Sequence, residues 1–148
     1  MMKILRLIAT FALAVTLLPF VANADDANLM ISDAWARPLP AVSKNGAAYI
    51  TLMNHGSKSD RLISAKSSAA KMIEVHTHVH KDGVMSMQKV DGLEIAPGEV
   101  VTFKPGGLHL MLMGLEQEMK EGEAFTIELQ FEKAGEMTIE VQVRQPTG

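Results

Sequence analysis

Five histidines and eleven methionines stand in this 148-residue chain beside no cysteine at all. Three of the histidines form the run His76-Thr77-His78-Val79-His80, and Met85 and Met87 follow a few residues on. Farther along, Leu108-His109-Leu110-Met111-Leu112-Met113 alternates leucine with imidazole or thioether. Neutral imidazoles and soft thioethers together are a donor set that suits Cu(I). Zinc would want thiolate or carboxylate beside histidine, and magnesium or calcium would want oxygen. The missing cysteine excludes a blue-copper electron carrier, a thiolate nucleophile and an iron–sulfur cluster. It also fits a copper protein in an oxidising compartment, where a metal-bound thiolate would be open to oxidation.

Such donors converge only if strands present them on one face, because alternate residues of a strand point the same way. Asp82-Gly83 is a strong hairpin signal between the histidine run and Met85-Ser86-Met87. A two-residue turn there sets His80 opposite Met85 and His78 opposite Met87, with His76 diagonal to Met87. A four-residue loop would set His76 directly opposite Met87. Either turn keeps His76 and Met87 on one face, at cross-strand distances of roughly 5–8 Å. In the second segment the leucines take one face as core, and His109, Met111 and Met113 take the other. His76, Met87, His109 and Met111 are therefore the candidate metal ligands, expected at a surface edge. Met85 and Met113 are expected as an apolar rim; His78 and His80 point the same way as His76, and the sequence leaves open whether they form a second site. His55, in the turn Asn54-His55-Gly56, reads as an ordinary surface histidine. Met53, Met72, Met119 and Met137 read as core filler.

The elements around these residues are strands. Ile31–Arg37, Ala47–Asn54, Arg61–Ala65, Met72–His80, Val84–Val90, Val100–Lys104, Leu108–Met113, Ala124–Phe131 and Met137–Arg144 carry strand signals separated by Gly, Pro and Asp turns. Ala69–Glu74 and Glu116–Glu121 are expected as short helical turns. The pattern predicts a single all-β domain, an antiparallel Greek-key β-sandwich, over residues 25–148. Residues 1–24 read as a cleaved signal peptide: Lys3 and Arg6, an uncharged stretch, then Ala22-Asn23-Ala24. A membrane anchor is the rival reading, but the stretch barely reaches spanning length and contains Pro19. With a formal net charge of −3, the chain lacks the basic footprint of a nucleic-acid binder.

The spacing resembles the signature of a known family, the periplasmic copper chaperones of the PCuAC type. Ten residues separate His76 from Met87, twenty-one separate Met87 from His109, and one separates His109 from Met111. Asp33-Ala34-Trp35-Ala36-Arg37-Pro38, Gly46-Ala47-Ala48-Tyr49 and Lys104-Pro105-Gly106-Gly107-Leu108-His109 also look like family text, so the resemblance runs from about Ile31 to Val143. It implies a cupredoxin-like or immunoglobulin-like sandwich holding one Cu(I) near its surface through His76, Met87, His109 and Met111. It further implies a periplasmic, monomeric carrier, without membrane insertion, that delivers copper to the binuclear copper site of cytochrome c oxidase subunit II or to another assembly factor. Many relatives carry a tail rich in histidine and methionine, which this sequence lacks. Two other readings stand beside the chaperone: a periplasmic copper buffer or resistance protein with no dedicated acceptor, and a structural sandwich whose methionines merely pack. An enzyme is not expected, because no nucleophile–base grouping is visible and Asp25, not histidine, would begin the mature chain.

Overall fold

Period-two alternation sorts side chains between inside and outside in nearly every strand. The computed structural model describes residues 28–147, which form ten strands and no helix. These are β1 (Leu29–Ala36), β2 (Asn45–Asn54), β3 (Asp60–Ser67), β4 (Ala70–Lys81) and β5 (Val84–Lys89). They continue with β6 (Leu93–Ile95), β7 (Val100–Thr102), β8 (His109–Leu115), β9 (Ala124–Phe131) and β10 (Gly135–Val143). The expected signal peptide, residues 1–24, lies outside the described residues.

Hydrogen-bonded neighbours run β5-β4-β8-β2-β1-β10-β9-β3-β6, and a further β3–β4 pairing closes the path into a barrel-like sandwich. The expected all-β architecture forms, with one pair, β1–β10, running parallel. The strands of the core turn their apolar sets inward, whereas all six residues of β5 are exposed. Phe125, Ile127, Leu129 and Phe131 of β9 are buried, as are Leu110 and Leu112 of β8, Leu52 of β2 and Leu62 of β3. Burying a side chain of this size is worth roughly 1.5–3 kcal/mol, so the leucine face of β8 anchors the strand whose other face carries His109.

The buried side chains of Asn54 and Asp60 are paired, as burial ordinarily requires. Asn54, 1% exposed, donates from Nδ2 to the carbonyls of Lys58 and Ile95 and accepts from the Gly56 amide, which fixes the turn through His55. The Asp60 carboxylate accepts from the amides of Arg61, Lys133 and Ala134, tying the start of β3 to the β9–β10 turn. One extra residue in β1 opposite β2 makes a bulge between Ser32 and Trp35, where Asp33 takes φ 47°. Arg144 holds that bulge by bonding Asp33 at 2.8 Å while stacking over Trp35.

Three expectations are corrected. Ala69–Glu74 is no helical turn: Ala70 opens β4, whose odd residues Ile73 and Val75 are core. Glu116–Glu121 is an irregular segment pinned by a Leu39–Met119 bridge. Met72 is 51% exposed instead of filling the core, because the inward register of Ile73 and Val75 turns even residues of β4 outward. Met119 is buried as expected. The sequence patterns also passed over β6, a three-residue strand on β3.

Candidate metal centre

The outer face of β5, β4 and β8 gathers the donors. Across the antiparallel β4–β8 ladder, His76 stands opposite His109, Glu74 opposite Met111, and Met72 opposite Met113. Across β4–β5, His78 stands opposite Met87, His80 opposite Met85, and His76 opposite Lys89. The two-residue turn therefore forms, and Asp82 and Gly83 take the positive φ values, 53° and 75°, that such a turn demands. His76 and Met87 end diagonal to one another on the same face, and Met111 lies two residues along β8 from His109. All four expected ligands thus share one patch, with His78 beside them. His55 is an exposed turn residue outside it.

Burial within the patch is graded. His109 is 4% exposed and Met87 is 55% exposed, with His76 and Met111 between them. The expectation that all four sit at a surface edge is corrected for His109: β8 is an interior strand, covered on one side by β4 and on the other by β2.

The rings are held by hydrogen bonds that also fix their protons. His109 Nδ1 lies 3.0 Å from the Gly107 carbonyl; a carbonyl can only accept, so Nδ1 carries the hydrogen and Nε2 the lone pair. The loop Lys104-Pro105-Gly106-Gly107 supplies that carbonyl: Gly107 bonds back to Lys104, and Gly106 sits at φ 82°. His76 Nε2 lies 2.8 Å from the Glu74 carboxylate, which likewise leaves Nδ1 as its lone-pair nitrogen. That Nδ1 is buried and has no protein partner, and neither has His78 Nδ1. The His109 ring lies 5.9 Å from His76 and 5.3 Å from His78, centroid to centroid.

Glu74 is the residue of this patch that sequence reasoning missed. Its signal was its position two residues before His76, on the same strand face. The hydrogen bond from His76, and then that from Lys89 at 3.1 Å, hold its carboxyl below the usual glutamate range. Lys89 in turn reaches Asp91, so the cation beside the histidines is balanced. Burial pushes the His109 imidazole below the usual histidine range; the bond to Gly107 opposes this, and the nearby His78 and His76 rings reinforce it. A ring kept neutral is a ring ready to ligate.

Among the described residues no three His, Cys, Asp or Glu side chains converge as a metal site. The patch does set methionine sulfur beside imidazole nitrogen, a donor set that suits Cu(I). Histidines whose second nitrogen is tied to a carboxylate or carbonyl are the usual form of metal-ligating histidine.

Fold and patch together define a class: a small all-β domain with an imidazole–thioether cluster on one sheet face. The chain belongs to the LpqE-like family, described as "Putative lipoprotein LpqE-like", whose pattern it matches over residues 29–143. It is 32% identical over 121 residues to "Putative lipoprotein Lxx21020" of Leifsonia xyli subsp. xyli, spanning 81% of this chain and 72% of that protein. It is 34% identical over 113 residues to "Uncharacterized protein RP573" of Rickettsia prowazekii, spanning 74% of this chain but only 62% of that one. Among solved structures it is similar to the copper-bound PCuAC domain from PmoF2, at TM-score 0.67 and 29% identity, over 80% of this chain and 93% of that domain. The Cu(I) form of DR1885 from Deinococcus radiodurans matches at TM-score 0.65 and 29% identity, over 83% of both chains. The resemblance to PCuAC domains drawn from the sequence is thus matched by the fold.

Proposed function

We propose that this protein is a periplasmic Cu(I) carrier that holds one copper ion through His76, Met87, His109 and Met111 and passes it to an acceptor protein. The observation that carries the reading is the pair of pre-set imidazoles. Glu74 and Gly107 fix the tautomers, and the lone-pair nitrogen of His76 is buried without a partner. Buried polar atoms are ordinarily paired, and a soft cation supplies the missing partner. The likeness to copper-bound PCuAC domains supports the same cargo.

Two neutral imidazoles and two thioethers bring no charge, so the bound ion keeps its single positive charge and the reduced state is favoured. The gradient from buried His109 to exposed Met87 gives an acceptor access from one side: an incoming donor replaces Met87 first and His109 last. We assign the cargo to copper-site assembly of cytochrome c oxidase, in particular subunit II. Export is supported by the lipoprotein names of the relatives. With no cysteine in these 148 residues, no lipid can be joined here through a cysteine thioether. No helix among the described residues is long and apolar enough to cross a membrane.

The test is an anaerobic competition titration of Cu(I) against a coloured chelator, with wild type and His76→Ala, Met87→Leu, His109→Ala and Met111→Leu. One equivalent should bind the wild type, and each variant should bind at least tenfold more weakly. Wild-type affinity in all four variants would overturn the assignment.

A further inference from the structure

The β4–β5 hairpin carries the same chemistry outward, beyond the four residues assigned above. His78 opposite Met87 and His80 opposite Met85 form two successive imidazole–thioether rungs on one face. Directly opposed Cβ atoms lie roughly 5 Å apart and diagonal ones about 7–8 Å, so His78, His80 and Met85 can reach one ion. The Asp82-Gly83 turn, with φ values of 53° and 75°, holds these rungs in register. Lys81 pairs with Val84 and falls on the opposite face by alternation. Lys89, on the donor face, is balanced by Glu74 and Asp91.

Two independent observations single out this tip. His78 Nδ1 is buried without a hydrogen-bond partner, although His78 is not among the four residues assigned to the inner ion. Met85 is 57% exposed on a strand whose six residues are all exposed; a large apolar thioether at an open edge has no packing role to explain it.

We propose that the hairpin tip is a second, weaker site for a soft monovalent cation, Cu(I), held by His78, His80 and Met85. The proposal rests on the inner-site reading above and extends it outward. His78 and Met87 share a rung, so the two sites adjoin. An ion moves between them by ligand exchange alone: one imidazole or thioether bond forms as another breaks, and copper stays Cu(I). The outer site is weaker because two of its donors, His80 and Met85, are exposed and lose side-chain freedom on binding. Its place at the sheet edge makes it the first position an incoming partner meets.

The experiment labels the methionine methyl groups with carbon-13 and titrates the protein anaerobically with Cu(I) in excess reductant. The first equivalent should move the Met87 and Met111 methyls, and the second should move Met85. The double variant His78→Ala/His80→Ala should abolish the Met85 shift; its fold is checked by the unchanged methyl of buried Met119. A Met85 methyl that stays still through two equivalents overturns the tip site, and so does one that moves in step with Met111 during the first. If Met85 shifts while Met87 and Met111 stay still, the four-ligand inner site falls and the tip site stands.

Discussion

His76 and His109 face one another across the β4–β8 ladder, ring centroids 5.9 Å apart, each with one nitrogen already bonded to the protein. The partners differ in kind: a carboxylate holds His76 and a backbone carbonyl holds His109. Both impose one tautomer, so the remaining nitrogens are set as donors before any cation arrives, and less ordering is left to be done on binding.

The two ends of the patch should respond differently to mutation in the metal-free protein. His109→Ala removes a buried ring and leaves the Gly107 carbonyl without its donor, which should cost about 1–3 kcal/mol. Met87→Leu, at an exposed edge position, should stay within about 0.5 kcal/mol of wild type. Urea denaturation of both apo variants checks this, and equal losses would contradict the graded burial.

Glu74 should act on copper through His76. Glu74→Ala should weaken Cu(I) affinity by about 10–100-fold, the usual cost of losing the partner of a ligating histidine. Glu74→Gln, which still accepts a hydrogen bond, should recover part of the loss. Nitrogen-15 shifts of the His76 ring report the tautomer directly. An unchanged tautomer in the alanine variant would remove the positioning role.

Stability should fall on acidification because of His109. An unfolded histidine titrates near 6.5, and burial holds the folded His109 below that. Between the two values the unfolded chain binds a proton that the folded chain does not, so unfolding gains as pH falls. The contribution is intact above about pH 6.5 and is lost progressively toward the lower, folded-state value. Denaturation midpoints from pH 8 to 5, wild type against His109→Gln, isolate the effect; the variant should show the shallower slope. Copper affinity should decline over the same acid range with proton uptake, since ligation needs the neutral ring.

Met113 faces Met72 on the donor side of the sheet, one step beyond Met111. It should form an apolar rim beside the ion without binding it. X-ray absorption of Met113→Leu protein carrying one equivalent of Cu(I) should count the same number of sulfur neighbours as wild type. Loss of a sulfur would make Met113 a ligand.

Transfer should be associative. Cu(I)-loaded protein mixed with an apo acceptor domain bearing an empty dithiolate site should lose copper at a rate that rises with acceptor concentration, because exposed Met87 can be replaced before the other ligands let go. A small chelator of matched affinity is the control. One common rate for both, independent of concentration, would mean dissociative release and would favour the copper-buffer reading.

Much of this site is local information. Alternation in Leu108–Met113 assigns the leucines to one face and His109, Met111 and Met113 to the other, and the burial of Leu110 and Leu112 follows it. Asp82-Gly83 specifies its own turn, since both residues tolerate positive φ, and the turn alone sets His78 against Met87. Period-two patterning and turn chemistry act within a few residues, so a single sequence displays them.

What the tertiary structure decided is which strands lie side by side. Nothing local states that β8 inserts between β4 and β2, and that neighbour relation is what sets His76 against His109, buries the latter and leaves Met87 at the rim. The part played by Glu74 likewise needed a resolved side chain, since a glutamate on a half-exposed strand reads as solvated until its 2.8 Å bond to His76 is seen. Met72 and the irregular segment around Met119 show the same boundary. Residue type alone sends both methionines to the core, but inward register turns one out, and a long-range bridge fixes the other. Strand pairing is non-local, set by the packing of the whole sheet around its core, and only the folded chain contains it.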